Sequence, residues 1–160
     1  MAHAAGSSVT SMTITEADIA CVWRAYDEFT RRFDELRTDD GLRRYHAEFY
    51  VPDAVMDNTE FFPAATAHEG VDGYQRWFQE TMAPFIEVTW DVESVEVLGD
   101  RVFSMAWIRG REPSDGTLLE VRLALNYTMR DGRIARIDVF LDAEKAKDAA
   151  RATSDRRGGG

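Results

Sequence analysis

The chain is short of cysteine, of basic residues and of long apolar runs, and each shortage removes a class of function. Cys21 is the one cysteine among 160 residues, so there is no intrachain disulfide and no thiolate cluster for zinc. It falls inside a helical pattern, where a buried, inert thiol is the expectation. Nineteen Lys and Arg stand against 29 Asp and Glu, a net charge of −10. A chain so poor in cations cannot displace the counterions of a polyanion, which argues against nucleic acid and against anionic membrane surfaces as partners. No apolar run approaches the length that spans a bilayer. The N-terminal MAHAAGSSVTSM lacks the basic start and apolar core of a secretory signal, so the cytoplasm is the expected location. The three histidines have no H-x-H or H-x-x-x-H spacing, and there is no glycine-rich phosphate loop. No metal and no organic cofactor is therefore expected.

What is present is a normal globular balance, with 44% hydrophobic and 30% charged residues, in a length suited to one domain. The strongest pattern is LLEVRLALNYTMRDGRIARIDVFL at 118–141. Leu119, Val121, Leu123, Leu125, Tyr127 and Met129 alternate with polar or small residues, which puts one apolar row on one face of a strand. Asp131-Gly132 tolerates the positive φ angles of a two-residue hairpin turn, and the chain returns through Ala135, Ile137, Val139 and Leu141. Before it, Val88, Trp90 and Val92 followed by Val95 and Val97 make a strand whose alternation slips near Glu93-Ser94, the mark of a bulge. Residues 101–111 form the next strand.

The N-terminal part reads as helical. Residues 1–13 are expected to be flexible. Thr15 caps a helix with Glu16 and Asp18 in its first turn, and Ile19, Val22, Trp23, Tyr26, Phe29, Phe33 and Leu36 follow at helical spacing. A second helix runs from Leu42 to about Tyr50, a short strand from Ala54 to Thr59, and a third helix opens at Glu69-Gly70. Residues 60–68, with Phe61, Phe62 and Pro63, read either as a lid or as a loop folded on the core. Asp142 caps a short last helix, and 151–160 is expected to be a disordered tail. The expectation is one α+β domain over 14–150, three helices on a curved, mostly antiparallel sheet, enclosing a conical pocket.

The stretches YHAEFYVPDAVMDN at 45–58, HEGVDGYQRWF at 68–78, LGDRVFSMAWIRGR at 98–111 and NYTMRDGRIARIDVFLD at 126–142, in that order and spacing, resemble the NTF2-like superfamily, in particular its SnoaL-like branch. The resemblance implies a cone-shaped fold and, in its enzymes, cofactor-free acid–base chemistry on a small hydrophobic molecule. It does not carry function by itself. The position of the general-base Asp of ketosteroid isomerases falls on Asn58, where limonene epoxide hydrolases hold a water with Asn and scytalone dehydratases carry Tyr. The second Asp of the isomerases and polyketide cyclases falls on Leu125. The Arg and Asp of the epoxide hydrolases fall on Ala106 and Ile108, and their other Asp on Val139. The isomerase tyrosine falls near Arg32 or Phe33. Each known acid–base set is incomplete.

Asn58, Asp34 and His68 are then the candidate catalytic residues. Asn58 can orient a water or polarise a carbonyl, but an amide is no general base. Asp34 stands where scytalone dehydratases place a Tyr-Asp pair, and it is either a pocket acid or a solvated carboxylate beside Glu35. His68, at the expected rim, either exchanges protons with a guest or is an exposed loop residue. Met56, Trp77, Phe78, Ser104, Leu125 and Tyr127 are expected to line the pocket. His46 reads as a surface or packing residue, and Asp57 points away from Asn58 by alternation. Three functions remain open: an isomerase-, cyclase-, dehydratase- or hydrolase-like enzyme, a binder of a hydrophobic small molecule, and a homodimeric association module. The last would use Met105, Trp107 and Phe140 on the outer sheet face.

Overall fold

The computed structural model describes residues 13–61 and 67–159, with side chains up to residue 152. Residues 1–12 and the loop residues Phe62 and Pro63 lie outside the described residues. Helix α1 (Glu16–Arg31) starts on a complete capping box, Thr15 accepting from the Asp18 amide and Asp18 from the Thr15 amide. Its inward stripe carries Val22, Tyr26 and Phe29. Arg32 leaves helical geometry, and a separate turn, α2 (Phe33–Leu36), follows with Phe33 and Leu36 buried. Thr38 then caps α3 (Asp39–Phe49), so the second helix begins three residues earlier than expected. Gly41 is essential to that start, because a Cβ there would lie 2.1 Å from the Glu35 carbonyl oxygen.

Strand β1 (Tyr50–Asp57) includes Pro52 and Asp53 and so begins four residues before the strand expected at Ala54. The proline is accommodated at a register irregularity between Tyr50 and Val55. A short strand β2 (Ala67–Glu69) leads into α4 (Gly70–Trp77) and a single π-helical turn, Phe78–Met82. Strands β3 (Glu87–Leu98), β4 (Arg101–Arg111), β5 (Leu118–Arg130) and β6 (Arg133–Phe140) form the antiparallel body of the sheet. Its order is β2-β1-β6-β5-β4-β3, with β1 parallel to β6. The bulge lies between Val92 and Ser94, and Asp131 and Gly132 both have positive φ, as alternation and turn chemistry predict.

The concave face meets α1, α3 and α4 in one main core. The convex face carries a second, smaller core of Phe103, Met105, Ala124 and Phe140, closed by Ala146 of helix α5 (Ala143–Gly159). The Asn126 amide donates to the Ala146 carbonyl at 2.8 Å and fixes this helix to β5. This corrects the association surface expected from sequence. Met105 and Phe140 are buried under the chain's own helix, and Trp107 is half-buried, its indole N–H donating to Glu93. The helix also extends through 151–159, where a disordered tail was expected. No proline or glycine interrupts it before the terminal glycines.

Candidate functional site

Helices and sheet enclose a cavity of about 590 Å³, the size of a small-molecule site. Its sheet wall is built by alternation: Leu119, Val121, Leu123 and Tyr127 of β5, with Ile137 and Val139 of β6. Trp90, Phe29 and Trp77 close other sides. Phe85 lies at the cavity against Gly110 of β4. A Cβ on Gly110 would sit 2.9 Å from the Phe85 ring, so the glycine makes room for that aromatic side chain. The π-helical turn brings the consecutive residues Glu80, Thr81 and Met82 to the cavity, with Glu80 exposed at its rim.

Two of the three candidate catalytic residues meet here. Met56 on β1 pairs with His68 on β2, and cross-strand partners share a face. Asn58 follows Met56 by two, so all three reach the same wall, and all three line the cavity. Asp57 points the other way and is paired with Arg136 at 2.8 Å, as alternation requires. Among the described residues the buried Asn58 amide has no hydrogen-bond partner, and the buried Nδ1 of His68 has none either. Gly73 of α4 is packed against His68, its would-be Cβ 3.1 Å from the His68 carbonyl carbon. The helix thereby packs closely on the backbone of His68.

Asp34 is not part of this site. It is exposed on the outer side of α2. Phe33 and Leu36 continue the inward spacing of Phe29, and Asp34 falls on the opposite side. Three of the expected wall residues are also displaced. Phe78 is fully buried in the roof against Phe29 and Phe33. Ser104 and Leu125 are cross-strand partners on the concave face, yet they lie outside the cavity lining. Tyr26 of α1 is hydrogen-bonded to Ser104 at 2.7 Å and covers them. Met56, Trp77 and Tyr127 line the cavity as expected.

The main polar feature was not singled out from sequence. All five tyrosines of the chain, Tyr26, Tyr45, Tyr50, Tyr74 and Tyr127, line this one cavity. Burial pushes the Tyr26 phenol up to about 12 and holds the other four well above the ordinary tyrosine range. They are therefore neutral donors, not phenolates. Tyr45 donates to the Ala25 carbonyl at 2.7 Å. The signal in the sequence was the use of Tyr, rather than Phe, at inward positions of α1, α3, β1, α4 and β5, since a buried hydroxyl needs a partner. His46 lies just outside, stacked on Tyr50 at 4.9 Å, and burial followed by the nearby Arg43 lowers it to about 4. It is a packing residue. Among the described lining residues Glu80 is the one carboxylate, and there is no Lys or Arg. Among the described residues no group of His, Cys, Asp and Glu could hold a metal ion.

The family model of the SnoaL-like domain matches residues 26–137. No curated protein matches the chain. Among solved structures, a candidate SnoaL-like polyketide cyclase from Jannaschia sp. CCS1 is 23% identical, with a TM-score of 0.60 over 85% of this chain and 92% of the other. A candidate polyketide cyclase from Sinorhizobium meliloti is 25% identical, with a TM-score of 0.50 over 72% and 93%. A protein of ketosteroid isomerase-like fold from Catenulispora acidiphila, solved with trimethylamine, is 16% identical, with a TM-score of 0.53 over 71% and 84%. The fold is thus shared with these proteins. With the family model spanning most of it, the chain belongs to the SnoaL-like domain family.

Proposed function

We propose that the chain is a pocket protein that moves a proton on a hydrophobic, oxygen-bearing small molecule without metal or organic cofactor, chemistry of the isomerase, cyclase, dehydratase or hydrolase type. The carrying observation is that Asn58 and His68 line one cavity of about 590 Å³ together with five buried phenols. The apolar walls take the body of the guest. In this reading the amide of Asn58 and a neutral phenol such as Tyr127 donate to its oxygen. His68 accepts the proton from the carbon next to a carbonyl; the C–H electron pair becomes the carbon–carbon double bond of an enolate, and the π pair of the carbonyl moves onto its oxygen. Return of a proton to the same carbon re-forms the carbonyl and gives exchange, and return to the far carbon of a conjugated double bond gives isomerisation.

The second reading is a binder without chemistry. It is favoured by the placement of Asp34 in solvent, which leaves His68 as the proton carrier. The two are separated by exchange of carbon-bound hydrogen into D₂O, followed by NMR on soluble cyclic ketones such as α-tetralone. The expected result is exchange faster than in buffer, lost in His68→Gln and reduced by at least about tenfold in Asn58→Leu. Bound ketone that exchanges no faster than free ketone would leave the binder.

A further inference from the structure

We infer that this cavity takes an organic ammonium ion, a tertiary or quaternary amine on a hydrophobic body, in preference to neutral or anionic molecules of the same shape. The inference rests on the reading of the cavity as a ligand site and names the charge of its guest.

Among the described residues ten aromatic side chains, and no Lys or Arg, line the cavity. Ring faces carry negative potential, and indole is the best of them for holding a cation. Two of the four tryptophans, Trp77 and Trp90, are in this wall. Trp90 lies 5.0 Å from Tyr26 and 6.4 Å from Phe29, and Trp77 lies 5.2 Å from Tyr74 and 6.3 Å from Phe29. The rings form a continuous box rather than isolated contacts. The protein supplies its own cations to other ring faces: Arg109 covers Trp107 at 5.6 Å, Arg37 covers Phe33 at 4.9 Å, and Arg32 lies 5.9 Å from the ring of Tyr45 in the lining. Among the described residues no Lys or Arg lies over Trp77 or Trp90.

Charge outside the box acts in the same direction. Glu80 at the rim is the one carboxylate of the lining, and the chain's net charge of −10 draws cations toward it. A carboxylate guest would leave water without meeting a fixed counter-charge.

The test uses three ligands of one shape: benzyl(2-hydroxyethyl)dimethylammonium, its carbon isostere 3,3-dimethyl-4-phenylbutan-1-ol, and the anion 3,3-dimethyl-4-phenylbutanoate. Dissociation constants are measured by titration calorimetry on the full chain at pH 8, where an ordinary imidazole is neutral. The ammonium is expected to bind roughly tenfold tighter than the alcohol, and the carboxylate weaker than both. Trp77→Leu and Trp90→Leu are expected to bring the ammonium-to-alcohol ratio toward one. Glu80→Gln, at an exposed position, should weaken the ammonium alone by about twofold to threefold. An alcohol that binds as tightly as the ammonium overturns the charge preference and leaves the pocket reading intact. Failure of all three ligands to bind overturns both.

Discussion

The Tyr26 hydroxyl lies 2.7 Å from Oγ of Ser104, joining helix α1 to strand β4 across the buried end of the concave face. Both side chains are buried, so loss of one partner leaves the other in a dry place. Ser104→Ala is expected to lower the free energy of unfolding by about 1–2 kcal/mol. Adding Tyr26→Phe should cost less than the sum of the two single changes, because the second removes a group that the first has already stranded. Urea denaturation of the four proteins of the cycle measures this directly.

His46 makes the fold sensitive to acid. In the unfolded chain an ordinary histidine takes a proton below about pH 6.5, whereas burial delays this in the folded protein to about 4. Between these values the unfolded state binds more protons, so stability is full above pH 6.5 and falls as the pH drops toward 4. The shift corresponds to at most roughly 3 kcal/mol. His46→Phe keeps a ring against Tyr50 but cannot titrate. Its stability difference between pH 7 and pH 4.5 should be smaller than that of the parent by a large part of that amount, as read from denaturation at both pH values.

Gly110 controls the space for Phe85 at the cavity. Gly110→Ala would place a methyl group 2.9 Å from the present ring, and the ring, being the mobile partner, must shift. Ligand affinity should fall by about fivefold or more while the fold is retained with a loss of about 1–3 kcal/mol. Ligand titration and thermal unfolding of the variant separate the two effects.

Helix α5 shields the convex face. Removing residues 143–160 would uncover Phe103, Met105 and Phe140 together with the Asn126 amide. An exposed apolar patch of this kind drives association. The shortened chain is expected to unfold more readily and to self-associate at micromolar concentration, as followed by light scattering.

Much of this architecture was legible because its causes are local. The alternation in 118–141, the Asp131-Gly132 turn, the slip at Glu93-Ser94 and the Thr15 cap each determine their geometry within a few residues, and all stand as expected. The site was legible only in part because it depends on long-range placement. Asn58 and His68 converge through the pairing of β1 with β2, which alternation alone cannot reveal. Asp34 failed because it stands one position beyond Phe33, off the inward spacing of Phe29, Phe33 and Leu36. Asp34→Asn should accordingly change stability by no more than about 0.5 kcal/mol. Phe78, Ser104 and Leu125 have the burial expected of wall residues, but other side chains stand between them and the cavity. The tyrosine collar escaped notice because its members come from five different elements and meet only in three dimensions.

The most direct test of a guest seated beside Asn58 and His68 is the nitrogen spectrum of the imidazoles during ligand titration. The chain has three histidines, so protein labelled with ¹⁵N-histidine gives few signals, assigned by His46→Phe and His68→Gln. With α-tetralone, the ring nitrogens of His68 are expected to shift along the same saturation curve as binding, and Asn58→Leu to move that curve to higher ligand concentration. Unshifted His68 nitrogens at saturating ligand, or binding indifferent to Asn58→Leu, would contradict this placement of the site.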